Sequence, residues 1–164
     1  MAGALGADNK IAGLSSVSIG SYTKTKGSYS VAIGYNTTAS TIGDIALGNT
    51  ATASGGGTVA LGTQAQTNGL YAVAIGTNSA ANSPSSVALG TNSTASVSGS
   101  VAIGAGSVAN RAAGVAGYDP STKTTSTKVD DSTWTSTAAA VAVGDADEGV
   151  TRQITGVALS LIHI

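Results

Sequence analysis

The 164-residue chain carries seven Lys and Arg against eight Asp and Glu, a formal net charge of -1, with no Phe, no Cys and a single Trp. Charged residues make up 9%, against roughly 25% in ordinary soluble domains, and none occurs from Ile45 through Asn110, which excludes a basic nucleic-acid footprint there. Near-zero net charge with a mean hydropathy of +0.23 argues against disorder, Gly, Asn and Ser interrupt every apolar group before it could span a membrane, and the lack of Cys excludes a disulfide framework.

A four-residue element recurs along the chain. It begins as Gly3-Ala4-Leu5-Gly6 and Val17-Ser18-Ile19-Gly20, continues as Val31-Ala32-Ile33-Gly34, Ile45-Ala46-Leu47-Gly48 and Val59-Ala60-Leu61-Gly62, then as Val73-Ala74-Ile75-Gly76, Val87-Ala88-Leu89-Gly90 and Val101-Ala102-Ile103-Gly104. Every interval is 14 residues, and the frame extends to a degenerate Val115-Ala116-Gly117-Tyr118, so nine consecutive turns are expected. Small residues recur at the seventh and ninth positions of each turn, as in Ser79 and Ala81, Ser93 and Ala95, or Ser107 and Ala109. Alternation of this kind predicts a second short strand.

Each turn therefore reads as two strands joined by a Gly-containing bend and a Ser/Asn/Gly-rich bend. The fold class is all-β, a parallel β-solenoid or β-roll with 14-residue turns. At ~4.8 Å between turns, nine of them make a rod roughly 40 Å long. Val and Ile of the first strand share one face and Ala takes the other. The expectation is a thin interior of Val, Ile, Ala and Ser, with Ala on the outside. So little bulk makes an independent core doubtful, and side-by-side packing of several rods would bury more apolar area. Gly55-Gly56-Gly57 reads as a loose bend, or as a place where another chain approaches closely.

The next copy of the element, Val141-Ala142-Val143-Gly144, lies 26 residues beyond Val115, so 12 extra residues enter one turn. The expanded region at about 118–140 contains Tyr118-Asp119-Pro120 and Ser132-Thr133-Trp134.

The repeated Ser-Val-Ala-Ile-Gly, as at Ser100 to Gly104, followed by x-x-Ser-x-Ala, resembles the head repeat of YadA-like trimeric autotransporter adhesins from residue 1 to about 158. The resemblance implies a homotrimer of left-handed parallel β-rolls, carried on a coiled-coil stalk and displayed from the outer membrane of a Gram-negative bacterium. It implies attachment to collagen, fibronectin, laminin or another cell-surface ligand, without catalysis, cofactor, nucleic acid or membrane contact by this segment. Thr151-Arg152-Gln153-Ile154-Thr155-Gly156-Val157-Ala158 is similar to the start of the family's neck. The expected organisation is a β-roll head over 1–144, the start of a neck over 145–158 and a cloning-derived tail over 159–164. Neither stalk nor barrel is present and no signal-peptide pattern opens the chain, so it reads as a segment of a longer fibre.

Chemistry is sparse. The only histidine is His163, in the suspected tail, which leaves no Ser-His-Asp arrangement in the repeats. Asp130, Asp131, Asp145, Asp147 and Glu148 fall in or after the insertion, where solvated loop charges are the simpler reading, and no metal or cofactor site is expected. The Gly of Gly104-Ala105-Gly106 recurs every turn and marks a solenoid corner, not a nucleotide loop. Asn36, Asn78 and Asn92 share the sixth position and predict an intermittent ladder. The candidate ligand-contact residues are Tyr22, Tyr29, Tyr35, Tyr71 and Trp134, since exposed aromatic side chains bury area at low entropy cost. Subunit packing is an equally good role for the tyrosines, and anchoring the insertion is one for Trp134. A passive spacer within a longer fibre is the alternative function.

Overall fold

The computed structural model describes residues 2–155. Two parallel sheets stack on each other. The first holds nine strands in chain order, Gly3–Leu5, Val17–Ser21, Val31–Tyr35, Ile45–Leu47, Val59–Leu61, Val73–Ile75, Val87–Leu89, Val101–Ile103 and Val141–Ala142. The second holds eight two-residue strands, from Lys10–Ile11 through Val108–Ala109. Neighbouring strands up to Val101–Ile103 pair residue i with residue i+14, as in Val59↔Val73 and Ala60↔Ala74. A chain whose phase does not slip lets strand backbone groups pair with the turns above and below. No helix occurs among the described residues.

The interior inverts the expected assignment of faces. Ala32, Ala46, Ala60, Ala74, Ala88 and Ala102, the second residues of their strands, are completely buried, while the flanking Val, Ile and Leu point outward. They meet the small residues of the second sheet, such as Ala53, Ala81, Ala95 and Ala109, all fully buried. Every buried hydrophobic side chain among the described residues is alanine, and the largest fully enclosed side chains are threonines. The physical reason is thickness: two sheets joined by bends of only a few residues lie too close for Val or Ile between them.

Both bends force unusual backbone. Gly48, Gly62, Gly76 and Gly90 at the fourth position have φ between +131° and +138°, and a Cβ on Gly48 would fall within 3 Å of the Gly62 carbonyl in the next turn. Glycine is therefore required by stacking as well as by φ. The residues at the sixth and thirteenth positions also occupy the left-handed region, among them Tyr22, Tyr29, Thr50, Tyr71, Asn78 and Asn92, with φ from +54° to +60°.

One turn is fastened by a buried carboxylate. Asp44 stands where other turns have Ser or Thr or, at Ala72, alanine, and it is fully enclosed. One oxygen accepts from the Thr41 amide (2.8 Å) and hydroxyl, and the other from the amides of Gly56 (3.0 Å) and Thr58 (3.2 Å) and the Thr58 hydroxyl (2.8 Å). A charge buried in this manner is tolerable because its lone pairs are occupied. Asp44 thus holds the Gly55-Gly56-Gly57 bend, which is tight, not loose: a Cβ on Gly55 would meet the Gly69 carbonyl, and the Leu70 and Tyr71 side chains lie over Gly56 and Gly57. In contrast, the buried Thr25 hydroxyl has no partner.

The ninth regular turn is not formed. Val101 pairs with Val141 and Ala102 with Ala142, so the chain between Ala109 and Ala140 leaves the stack, and Ala116 instead bridges Thr135 in antiparallel fashion. The excursion rejoins where the Ala140 amide donates to the Arg111 carbonyl at 3.0 Å. Beyond Gly144, Asp145 and Val150 exchange both backbone hydrogen bonds at 2.8 Å. This reversal returns Arg152 beneath the last turn, where its guanidinium donates to Ser107 Oγ (3.1 Å) and to the carbonyls of Val143 and Ala105. Residues 156–158 of the expected neck and the tail 159–164, with His163, lie outside the described residues.

Candidate ligand-contact surfaces

The two sheets share one interior but present different exteriors. The first shows rows of Val, Ile and Leu, with Val17, Ile45, Leu61, Ile75 and Ile103 each between 37% and 43% exposed. On the second, the outward eighth and tenth positions read Lys10 and Ala12, Lys24 and Lys26, Thr38 and Ser40, Thr52 and Ser54, Gln66 and Asn68, Ala80 and Asn82, Thr94 and Ser96, then Val108 and Asn110. Side chains of this face bond to one another along the rod: Ser54 donates to Asn68 (3.1 Å), and Asn68 to Asn82 (2.9 Å). The expected sixth-position ladder exists between Asn78 and Asn92, at 3.2 Å. The tenth-position ladder was equally visible in the 14-residue phase, once the outward positions are known.

The five candidate contact residues do not converge. Tyr22 and Tyr35 meet edge to face, ring centroids 5.7 Å apart, on the bend that follows the first-sheet strands, a geometry that favours aromatic pairs. Tyr29 and Tyr71 stand on the opposite bend, three turns apart, 68% and 65% exposed. Leu14, Ile42 and Leu70 accompany them on that bend and are also exposed. These aliphatic residues lie outside the four-residue element, so the repeat pattern did not single them out.

Trp134 is half-buried within the insertion. Lys128 Nζ lies 5.4 Å from its ring centroid, and its carbonyl accepts from the Gly117 amide at 2.6 Å. Two carboxylates organise the same region. Hydrogen bonds from the Ser121 hydroxyl (2.6 Å) and amide (2.8 Å) hold Asp119 below the usual carboxylate range. The Thr133 amide, at 2.8 Å, does the same for Asp131. Both are self-contained turns.

One open concavity of about 400 Å³ lies at the base of the rod, bordered by Asn110, Arg111, Asp145, Asp147 and Arg152, and another of about 420 Å³ lies against Thr50, Gln64, Gln66 and Asn78. The Arg152 guanidinium is already committed to the last turn. No group of three or more His, Cys, Asp or Glu side chains is placed to hold a metal among the described residues. What the molecule offers is long, regular, nearly uncharged surface.

Comparison with known families bears directly on that regularity. The family model for the YadA head domain repeat matches at residues 12–37, 26–51, 39–63, 53–79 and 81–107, together more than half of the chain. No curated protein matches. Overlapping matches that advance along the rod agree with the stacked turns seen in the fold, and the chain belongs to the YadA head-domain family.

Proposed function

We propose that this chain is the head of a trimeric cell-surface adhesin, built from three left-handed rolls and displayed from the outer membrane of a Gram-negative bacterium. The observation that carries the reading is the apolar exterior of the nine-stranded sheet. A monomer would leave Val, Ile and Leu of successive turns in water, whereas three copies with these sheets turned inward bury them around a common axis. The polar second sheets then face outward three times over. Such a surface has no deep pocket and binds by summing many weak contacts. Collagen, fibronectin, laminin or another cell-surface ligand is the proposed partner.

A solid-phase panel of these three matrix proteins and of whole cells tests the proposal, with the chain applied at its assembled state. Saturable binding to at least one is expected. A second reading, a passive spacer, is favoured by the ladders Ser54–Asn68–Asn82 and Asn78–Asn92, which occupy donors and acceptors on the outer surface. Trimer formation with no binding across the panel would establish the spacer in place of the adhesin.

A further inference from the structure

The strands Val17–Ser21 and Val31–Tyr35 are two residues longer than the five strands from Ile45–Leu47 to Val101–Ile103, and their pairing extends to Ser21↔Tyr35. Tyr35 follows Gly34, whose φ of +140° turns the chain, and so stands 53% exposed at the edge of the sheet beside the outward row of Val31 and Ile33. Here the apolar face reaches the edge of the rod. Tyr22 packs against Tyr35 and widens that edge. In later turns the same positions are polar: Asn49 and Thr50, Thr63 and Gln64, Thr77 and Asn78.

The opposite edge carries its own large apolar side chains at the same height. Leu14, Tyr29 and Ile42 are 71%, 68% and 68% exposed. Three copies related by a rotation axis parallel to the rod bring equal heights together. Their contacts are heterologous, one edge of a copy meeting the other edge of the next. We infer that Tyr22 and Tyr35 of one copy pack against Leu14, Tyr29 and Ile42 of the next, forming an apolar seam over the first three turns. The inference rests on the trimer reading above and deepens it. It assigns Tyr22, Tyr29 and Tyr35 to subunit contacts, whereas Tyr71 faces a neighbouring edge of Thr and Gln.

The chain has no cysteine, so paired substitutions report on the seam without background. The test combines Tyr22→Cys or Tyr35→Cys with Leu14→Cys, Tyr29→Cys or Ile42→Cys, under mild oxidation or with a short bis-maleimide. At least one pair is expected to give a covalent trimer on a denaturing gel, which reductant reverses for the disulfide. Tyr29→Cys with Thr52→Cys, on the outer face of the second sheet, is expected to give none. Light scattering on each variant separates the two ideas and checks that it still assembles. Trimers in solution without covalent trimer from any seam pair overturn the seam and leave the trimer standing. Monomers of the unsubstituted chain overturn both.

Discussion

The outer faces of the two sheets differ as much as two surfaces of one repeat can, although the sheets close on the same alanine and threonine interior. The first exposes Val17, Ile45, Leu61, Ile75 and Ile103; the second exposes Thr, Ser, Asn and Gln that bond to each other along the rod. Interior burial cannot account for this asymmetry, because neither outer row enters the core. A single roll is held chiefly by its backbone ladder and close stacking, and in the proposed trimer the outward apolar residues of the repeat serve assembly.

The largest effect is expected from destroying the stack that both faces share. Gly48→Ala places a Cβ against the Gly62 carbonyl at φ +138°, with no flexible neighbour to yield. A loss of more than about 4 kcal/mol is expected, read as collapse of the cooperative urea transition. Asp44→Ala leaves the buried donors of Thr58 and the part-buried amides of Thr41 and Gly56 without an acceptor. It should cost about 3 kcal/mol by the same measurement, and Asp44→Asn less, because its amide oxygen still accepts.

A matched pair of substitutions sharpens the comparison itself. Ile75→Lys on the first sheet should weaken assembly by about 3 kcal/mol per copy through burial of unpaired charge. Gln66→Lys on the second should leave the mass in solution unchanged. Equal effects from the two would remove the distinction between the faces. A smaller, favourable change is expected inside: Thr25→Val deletes the unpartnered buried hydroxyl at constant shape and should stabilise by about 1 kcal/mol.

The insertion responds to acid instead. Asp119 and Asp131 have carboxyls held below the ordinary value of 3.8 by Ser121 and Thr133. Their contribution to local order is therefore present above the ordinary value and lost as pH falls through the lowered ones. The single Trp134, beside Lys128, reports this by fluorescence, with a transition expected below the usual carboxylate range.

The 14-residue phase made the strands, their parallel register and both bends legible in the sequence. It did not reveal which face of the first strand is inside. Alternation says only that Val59 and Leu61 share a side opposite Ala60; sheet separation decides the side, and separation belongs to the folded pair. Val115-Ala116-Gly117-Tyr118 imitated another turn, but it places Tyr118 where close stacking demands glycine, and that departure was the available sign. The tyrosines were legible as conspicuous side chains, yet their division between two edges needed the bends. Arg152 lies 45 residues from Ser107 along the chain, and no local pattern announces a cap closed over that distance.

In the proposed trimer, further copies of this chain cover the apolar face of the nine-stranded sheet. Sedimentation equilibrium of the unmodified protein tests it most directly. The predicted result is a single species of three times the 15.6 kDa chain mass, persisting on dilution. A stable, well-folded species of 15.6 kDa would contradict it.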